Sequence, residues 1–369
     1  MEPRRTEALL RELNGRPTAG GRLEWEAFED LADRLLPPGD AAPLDALRLR
    51  GVSCVDFRAA RRWIRRGLRR RPVAFHLTCD NDAPHALSEH GWPCFPGITL
   101  RSHAGAFACR LRTMRLSGVS LSDDFTDCLA ADFVVLEHLH LEGCTYNFGR
   151  LASHSLRELF IDRCRREYHQ VNDVLAIAAP RIAYHSINGH PPPVTAEGEM
   201  PALIAASLAD PAGKLGLLRS LRHARSLDLS GFSATALLGG EDAGDFPVFH
   251  NLGTLLLDGC DVGVECQVLR RFLRNAPSLE TLTLRDCAFT GDSRSKKRKA
   301  RSRDKTPSSD CCSPTAYECK NLKSIELEFR EGHAVDELAQ ALVGILKEEA
   351  RPMESSVQDG KRRVKISYT

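Results

Sequence analysis

The stretch Leu136-Glu-His-Leu139-His-Leu141-Glu-Gly-Cys144 decides how the chain is read. One polar residue separates Leu139 from Leu141, the alternation of a short strand with one buried side. Gly143-Cys144 then turns the chain away. A small residue suits that turn, which has room for little more than a thiol and its weak S–H donor. The pattern returns as Leu156-Arg-Glu-Leu159-Phe-Ile161-Asp-Arg-Cys164, as Leu252-Gly-Thr-Leu255-Leu-Leu257-Asp-Gly-Cys260 and as Leu279-Glu-Thr-Leu282-Thr-Leu284-Arg-Asp-Cys287. Looser copies begin at Leu44, Leu111, Ala224 and Leu322.

The pattern L-x-x-L-x-L-x-x-C is that of the leucine-rich repeat, and neighbouring clear copies start roughly 20 to 28 residues apart, as expected of it. One match is weak evidence; four with the terminal cysteine are strong. The sequence therefore predicts an α/β solenoid, a horseshoe with a parallel sheet on its concave face and helices on its convex face. Each turn lends its neighbour apolar contacts that it lacks alone.

Hydrophobic residues make up 42% of the 369 and charged ones 27%, with a net charge of +2. These are values for a globular chain, and the balance is not that of an obvious polyanion binder. There is no apolar run of about 18 residues to cross a membrane. Met1-Glu-Pro-Arg-Arg leads into charged residues rather than a signal-peptide core, so nucleus or cytoplasm is expected. Of thirteen cysteines, Cys144, Cys164, Cys260 and Cys287 hold the repeat's turn position, which favours reduced thiols over a disulfide framework.

Four regions follow: an N-terminal helical cap or linker over 1–43, repeats over 44–290, a disordered basic insertion over 291–318, and a last repeat with its cap over 319–369. Helices are expected over 6–13 and 24–36. The segment 56–71 reads as a helix with Ala60, Trp63, Ile64, Gly67 and Leu68 on one face and arginines on the other. Those arginines suit either an anion-binding patch or a solvated outer face. The second reading is preferred, because base recognition also needs groove-filling chemistry. Cys79, His85, His90 and Cys94 match no usual ligand spacing, so no metal is expected. Further helices are expected over 171–179, closed by Pro180, and over 201–209, with a degenerate strand over 182–187. The interval from Ile182 to Ala224 exceeds one repeat and reads as an insertion. A helix with Val264, Val268, Leu269, Phe272 and Leu273 buried is expected before Leu279. After the last repeat strand come a helix over 335–346 and a closing strand over 361–368.

Within the insertion, Lys296, Lys297, Arg298, Lys299, Arg301 and Arg303 form a basic run. It is a nuclear-import signal, a nucleic-acid contact or a solvated loop between repeats. The lack of large apolar residues around it predicts disorder.

Three stretches resemble the plant F-box/leucine-rich-repeat proteins, RNI-like chains that end in an FBD-type domain. They are Phe28-Glu-Asp-Leu-Ala-Asp-Arg-Leu-Leu36 with Ala42-Pro-Leu-Asp-Ala-Leu-Arg-Leu49, then Ala60-Arg-Arg-Trp63-Ile64, then Cys319-Lys-Asn-Leu-Lys-Ser-Ile-Glu-Leu327. With the repeats between, the likeness spans roughly residues 24 to 350. It implies a substrate receptor of a cullin-RING ubiquitin ligase, in which an F-box holds the Skp adaptor and the repeat face holds the protein to be modified. The chain departs from that pattern upstream of Glu24, where no Leu-Pro-acidic opening or later Arg…Trp segment of an F-box is found. Adaptor binding is therefore expected only with an F-box restored upstream. Either the reading frame is truncated, or the protein binds targets without delivering them.

With Leu139 and Leu141 buried, His138, His140 and Glu142 point to the concave side. The same count places Arg48, Arg50, Arg115, Glu158, Phe160, Asp162, Asp228, Leu256, Asp258, Arg285, Glu326 and Glu328 there. Basic residues dominate the first turns, and acidic ones the middle and end. Phe160 and Leu256 are apolar where solvent is expected, which marks them as anchors for a partner protein. For each charged residue, a merely solvated face is the competing account. No G-x-x-x-x-G-K-[ST], G-x-S-x-G or H-E-x-x-H is present, so neither an enzyme nor a cofactor is expected. The alternative class is a nuclear, nucleic-acid-associated protein using 56–71 and 293–305.

Overall fold

The computed structural model describes residues 43–53, 64, 67–80, 97–98, 110–167, 174–189, 194–209, 215–238, 246–264, 266–290, 321–330, 342, 354–358 and 361–367. The predicted helices over 6–13, 24–36 and 335–346 lie outside them, apart from Leu342, which is helical and buried. So do the basic run and most of 56–71, where Ile64, Gly67 and Leu68 are buried and Arg69 and Arg71 exposed.

One thirteen-stranded sheet organises the rest. Its first eleven strands lie side by side in chain order, each parallel to the next. They are β1 (Ala46–Ser53), β2 (Ala74–Asp80), β3 (Thr113–Ser117), β4 (His138–Glu142), β5 (Glu158–Asp162) and β6 (Tyr184–Asn188), followed by β7 (Ala205–Ala209), β8 (Ser226–Ser230), β9 (Thr254–Asp258), β10 (Thr281–Arg285) and β11 (Ser324–Arg330). Two further strands, β12 (Glu354–Gln358) and β13 (Lys361–Ser367), close the far edge, with β13 antiparallel to both β11 and β12.

Register makes this an ordered stack. Met114, Leu139 and Leu159 are direct partners, as are Leu227, Leu255 and Leu282, and all six are buried. A second inward row runs Leu116, Leu141, Ile161 and Ile187. All belong to one continuous core. Burying one such leucine contributes roughly 1.5–3 kcal/mol before the cost of ordering the chain. Leu139→Ala therefore leaves a cavity felt by the neighbouring strands as well as its own.

The turns after β4, β5, β9 and β10 are built the same way. Gly143 (φ 54°) and Gly259 (φ 58°) take the left-handed conformation that glycine adopts without a Cβ penalty. Arg163 and Asp286 fill the same place at φ 49° and 43°. The cysteine that follows is buried and unbridged in all four copies. In three of them the thiol donates backwards to the preceding strand: Cys144 Sγ to Leu116 O at 3.4 Å, Cys260 to Leu229 O at 3.2 Å, Cys287 to Leu257 O at 3.3 Å, while Cys164 donates to Asp162 O of its own strand at 3.5 Å. Cys144, Cys260 and Cys287 thus each tie two neighbouring strands together while filling a small space.

Behind the sheet the chain returns by mixed means. Helices α1 (Asp123–Ala131), α2 (Leu215–Ser220), α3 (Ala234–Leu238) and α4 (Gln267–Asn275) occupy some returns. Others form small parallel sheets, of four, three and two strands. The helix before Leu279 forms as expected, with Val268, Leu269, Phe272 and Leu273 buried, although Val264 ends the preceding short strand Asp261–Val264.

Two expected helices are absent. Within 171–179, Leu175–Ala178 is a strand between Arg150–Ala152 and Val194–Ala196. Leu175 and Ile177 face inward while Ala176 and Ala178 face out, a period of two rather than 3.6. Pairing on both sides satisfies the backbone and overrides alanine's helical preference. Within 201–209, Ala205–Ala209 is the strand β7, with Ala206 and Leu208 buried. The supposed insertion is therefore a further strand of the ladder. Tyr184, Ala205 and Ser226 are direct partners spaced 21 residues apart (184 to 205 to 226).

His185 sits where the other strands place an apolar residue, between Leu159 and Ala206. It is 2% exposed, and neither ring nitrogen has a hydrogen-bond partner. Burial alone pushes its imidazole down to about 4.

Candidate protein-binding face

The outward side of the sheet collects the predicted binding residues on one surface. Because each strand alternates and all pair in register, their outward residues form straight rows across the ladder. The central row runs Arg48, His76, Arg115, His140 and Phe160 from β1 to β5. It continues through Ser186, Ser207, Asp228, Leu256, Thr283 and Glu326 to β11. A flanking row carries Glu142 beside Asp162, and further along Asp258, Arg285 and Glu328. On the other flank His138 stands beside Glu158.

Their side chains meet as the rows dictate. His138 Nδ1 lies 2.8 Å from Glu158 Oε2. The rings of His140 and Phe160 stack at 4.3 Å between centroids, tilted by 17°. Arg163, from the turn after β5, pairs with Asp162 at 3.0 Å and with Glu142. Toward the far edge Glu328 takes Arg285 at 3.0 Å and Arg363 at 3.0 Å. Lys365 Nζ is 3.2 Å from Glu326. Leu256 is half-buried between Asp228 and Thr283.

Titration follows from these neighbours. Burial, then Arg115, lowers His140 to about 4, against a smaller upward pull from Glu158. His76 is lowered by burial and by Arg48, Arg115 and Arg50. Both imidazoles are thus neutral at pH 7, and His140 offers Phe160 an uncharged ring to stack on. Burial raises Asp228, Arg285 opposes that, and Asp258 reinforces it.

Sequence reading overlooked His76, Ser186 and Ser207. The signal for His76 was Phe75/Leu77/Cys79, all buried and alternating in β2. For Ser207 it was Ala206/Leu208, hidden because alanine is a poor marker of an apolar face. No group of three or more His, Cys, Asp or Glu among the described residues is placed to hold a metal.

No protein-family model matches the chain. It is 33% identical over 347 residues to a rice protein (Oryza sativa subsp. japonica), the meiotic F-box protein MOF. The match covers 86% of this chain and 70% of that protein. Identity at this level over most of both chains, together with a ladder that accounts for the repeated sequence pattern, shows that the chain belongs to the F-box protein family.

Proposed function

We propose that the chain is a leucine-rich-repeat horseshoe acting as a non-catalytic protein-recognition module, the target-binding part of a ubiquitin-ligase receptor. The observation that carries this reading is the outward face of the sheet. Eleven strands present their alternate residues in register, with stacked rings, leucine and charges of both signs, as in a polar interface with apolar anchors. The kinship with a rice F-box protein supports the receptor assignment. In such a receptor the adaptor is gripped by the F-box, and the ladder holds the protein to be ubiquitinated. Adaptor binding is expected only of a chain that carries an F-box, so residues 1–369 alone should not retain the Skp adaptor in co-precipitation.

The test places bulk in the middle of the face. Ser207→Arg with Leu256→Arg should remove bound partners, quantified by mass spectrometry of captured complexes. Arg150→Gln, on the small sheet behind, should leave them bound. Partners lost with the rear substitution and kept with the frontal pair would contradict the proposal; robust retention of the adaptor would overturn only the expectation that residues 1–369 do not hold it.

A further inference from the structure

We infer that the first five strands of the face bind an acidic protein segment in polyproline II conformation, with carboxylates three residues apart and an apolar residue three further on. This deepens the receptor reading and rests on it. Toward the far edge of the sheet the cations are compensated: Arg285 and Arg363 share Glu328, and Lys365 meets Glu326. Arg48, Arg50 and Arg115 form no ion pair with any described carboxylate. All three are exposed, and Arg48 and Arg115 flank His76 in one row. Like charges gathered without counter-charge destabilise the isolated fold and are relieved by an anion.

Spacing selects the anion. Arg48 and Arg115 are two strands apart, about 10 Å at the usual strand separation. Arg115 and Phe160 are two strands apart again. A single phosphate would need cations converging on one point, and these are spread along a line. A polyproline II segment has three residues per turn and rises roughly 3.1 Å per residue, so positions i, i+3 and i+6 share one side at about 9 Å intervals. Two carboxylates then meet Arg48 and Arg115. The third position lies on the His140–Phe160 stack, which gives it an apolar platform.

The test uses the full chain and a fluorescent peptide with Glu at positions 1 and 4 and Phe at 7. Anisotropy should show saturable binding that weakens with salt and is absent from the Gln-for-Glu peptide. Arg48→Gln with Arg115→Gln should lower affinity roughly tenfold, the sum expected of two partly exposed pairs. Phe160→Ser should weaken it independently, while Arg150→Gln should not change it. Circular dichroism of each variant confirms that the fold is retained. Equal binding of the Gln peptide, an undiminished double variant, or tighter binding of a single-stranded oligonucleotide of equal charge would overturn the inference. If the peptide fails while frontal substitutions still strip partners, the receptor reading stands and only this inference falls. If rear substitutions strip them instead, the receptor reading itself falls.

Discussion

At the scale of single residues, His185 shows what the ladder tolerates. Its two ring nitrogens lie unpartnered in a row otherwise filled by apolar side chains. Such burial costs about 1–3 kcal/mol for an unsatisfied polar group and holds the ring neutral. In the unfolded chain this imidazole takes up a proton below 6.5, and in the fold only below about 4. Between those values the unfolded state binds more protons. Stability is therefore complete above pH 6.5 and lost as pH falls toward 4, by on the order of 3 kcal/mol from this group. Urea midpoints measured across that window should fall more steeply for the natural chain than for His185→Leu, which should also be the more stable at pH 5. Parallel pH curves for the two would contradict this account. His140 acts in the same direction, but its partial exposure to solvent weakens the contribution.

At the scale of elements, what could be read in the sequence depended on how large the inward residues are. Leu139/Leu141 and Leu282/Leu284 advertise a strand by alternation, Leu255/Leu257 by matching them in the repeat, and each became one. The turn cysteines were equally legible, because a small residue recurs three places after the last apolar residue of the strand in all four clear copies. Ala206/Leu208 and Leu175/Ile177 were obscured by alanines, which favour helix in isolation and carry too little side chain to declare a face. There the pairing partners decided the outcome, and partners are not visible within one segment. The candidate face followed from the strands that were recognised, and so lacked His76, Ser186 and Ser207. Hydrogen exchange separates the two readings of 201–209. Backbone amides over 205–209, bonded between β6 and β8, should exchange as slowly as those of β8. Exchange at the rate of an open loop would return that segment to an insertion.

At the scale of the whole molecule, stability and function come from one geometry. Each strand is too short to bury its own leucines, and only neighbours on both sides complete the core. The same alignment sets the outward residues in rows, so the proposed recognition surface belongs to no single strand. Charge is distributed unevenly along those rows, uncompensated by described residues at the first strands and paired at the last, which gives the face a direction. The face exists only if the strands keep their ladder order. The most direct check is a pulsed electron-resonance distance between spin labels at Thr113 and Thr281, half-buried positions in one outward row on β3 and β10. Seven strand separations intervene, so one narrow distribution near 30–35 Å is expected at the usual spacing. A broad distribution, or a distance well outside that range, would mean that the two halves do not share a sheet, and the account would be wrong.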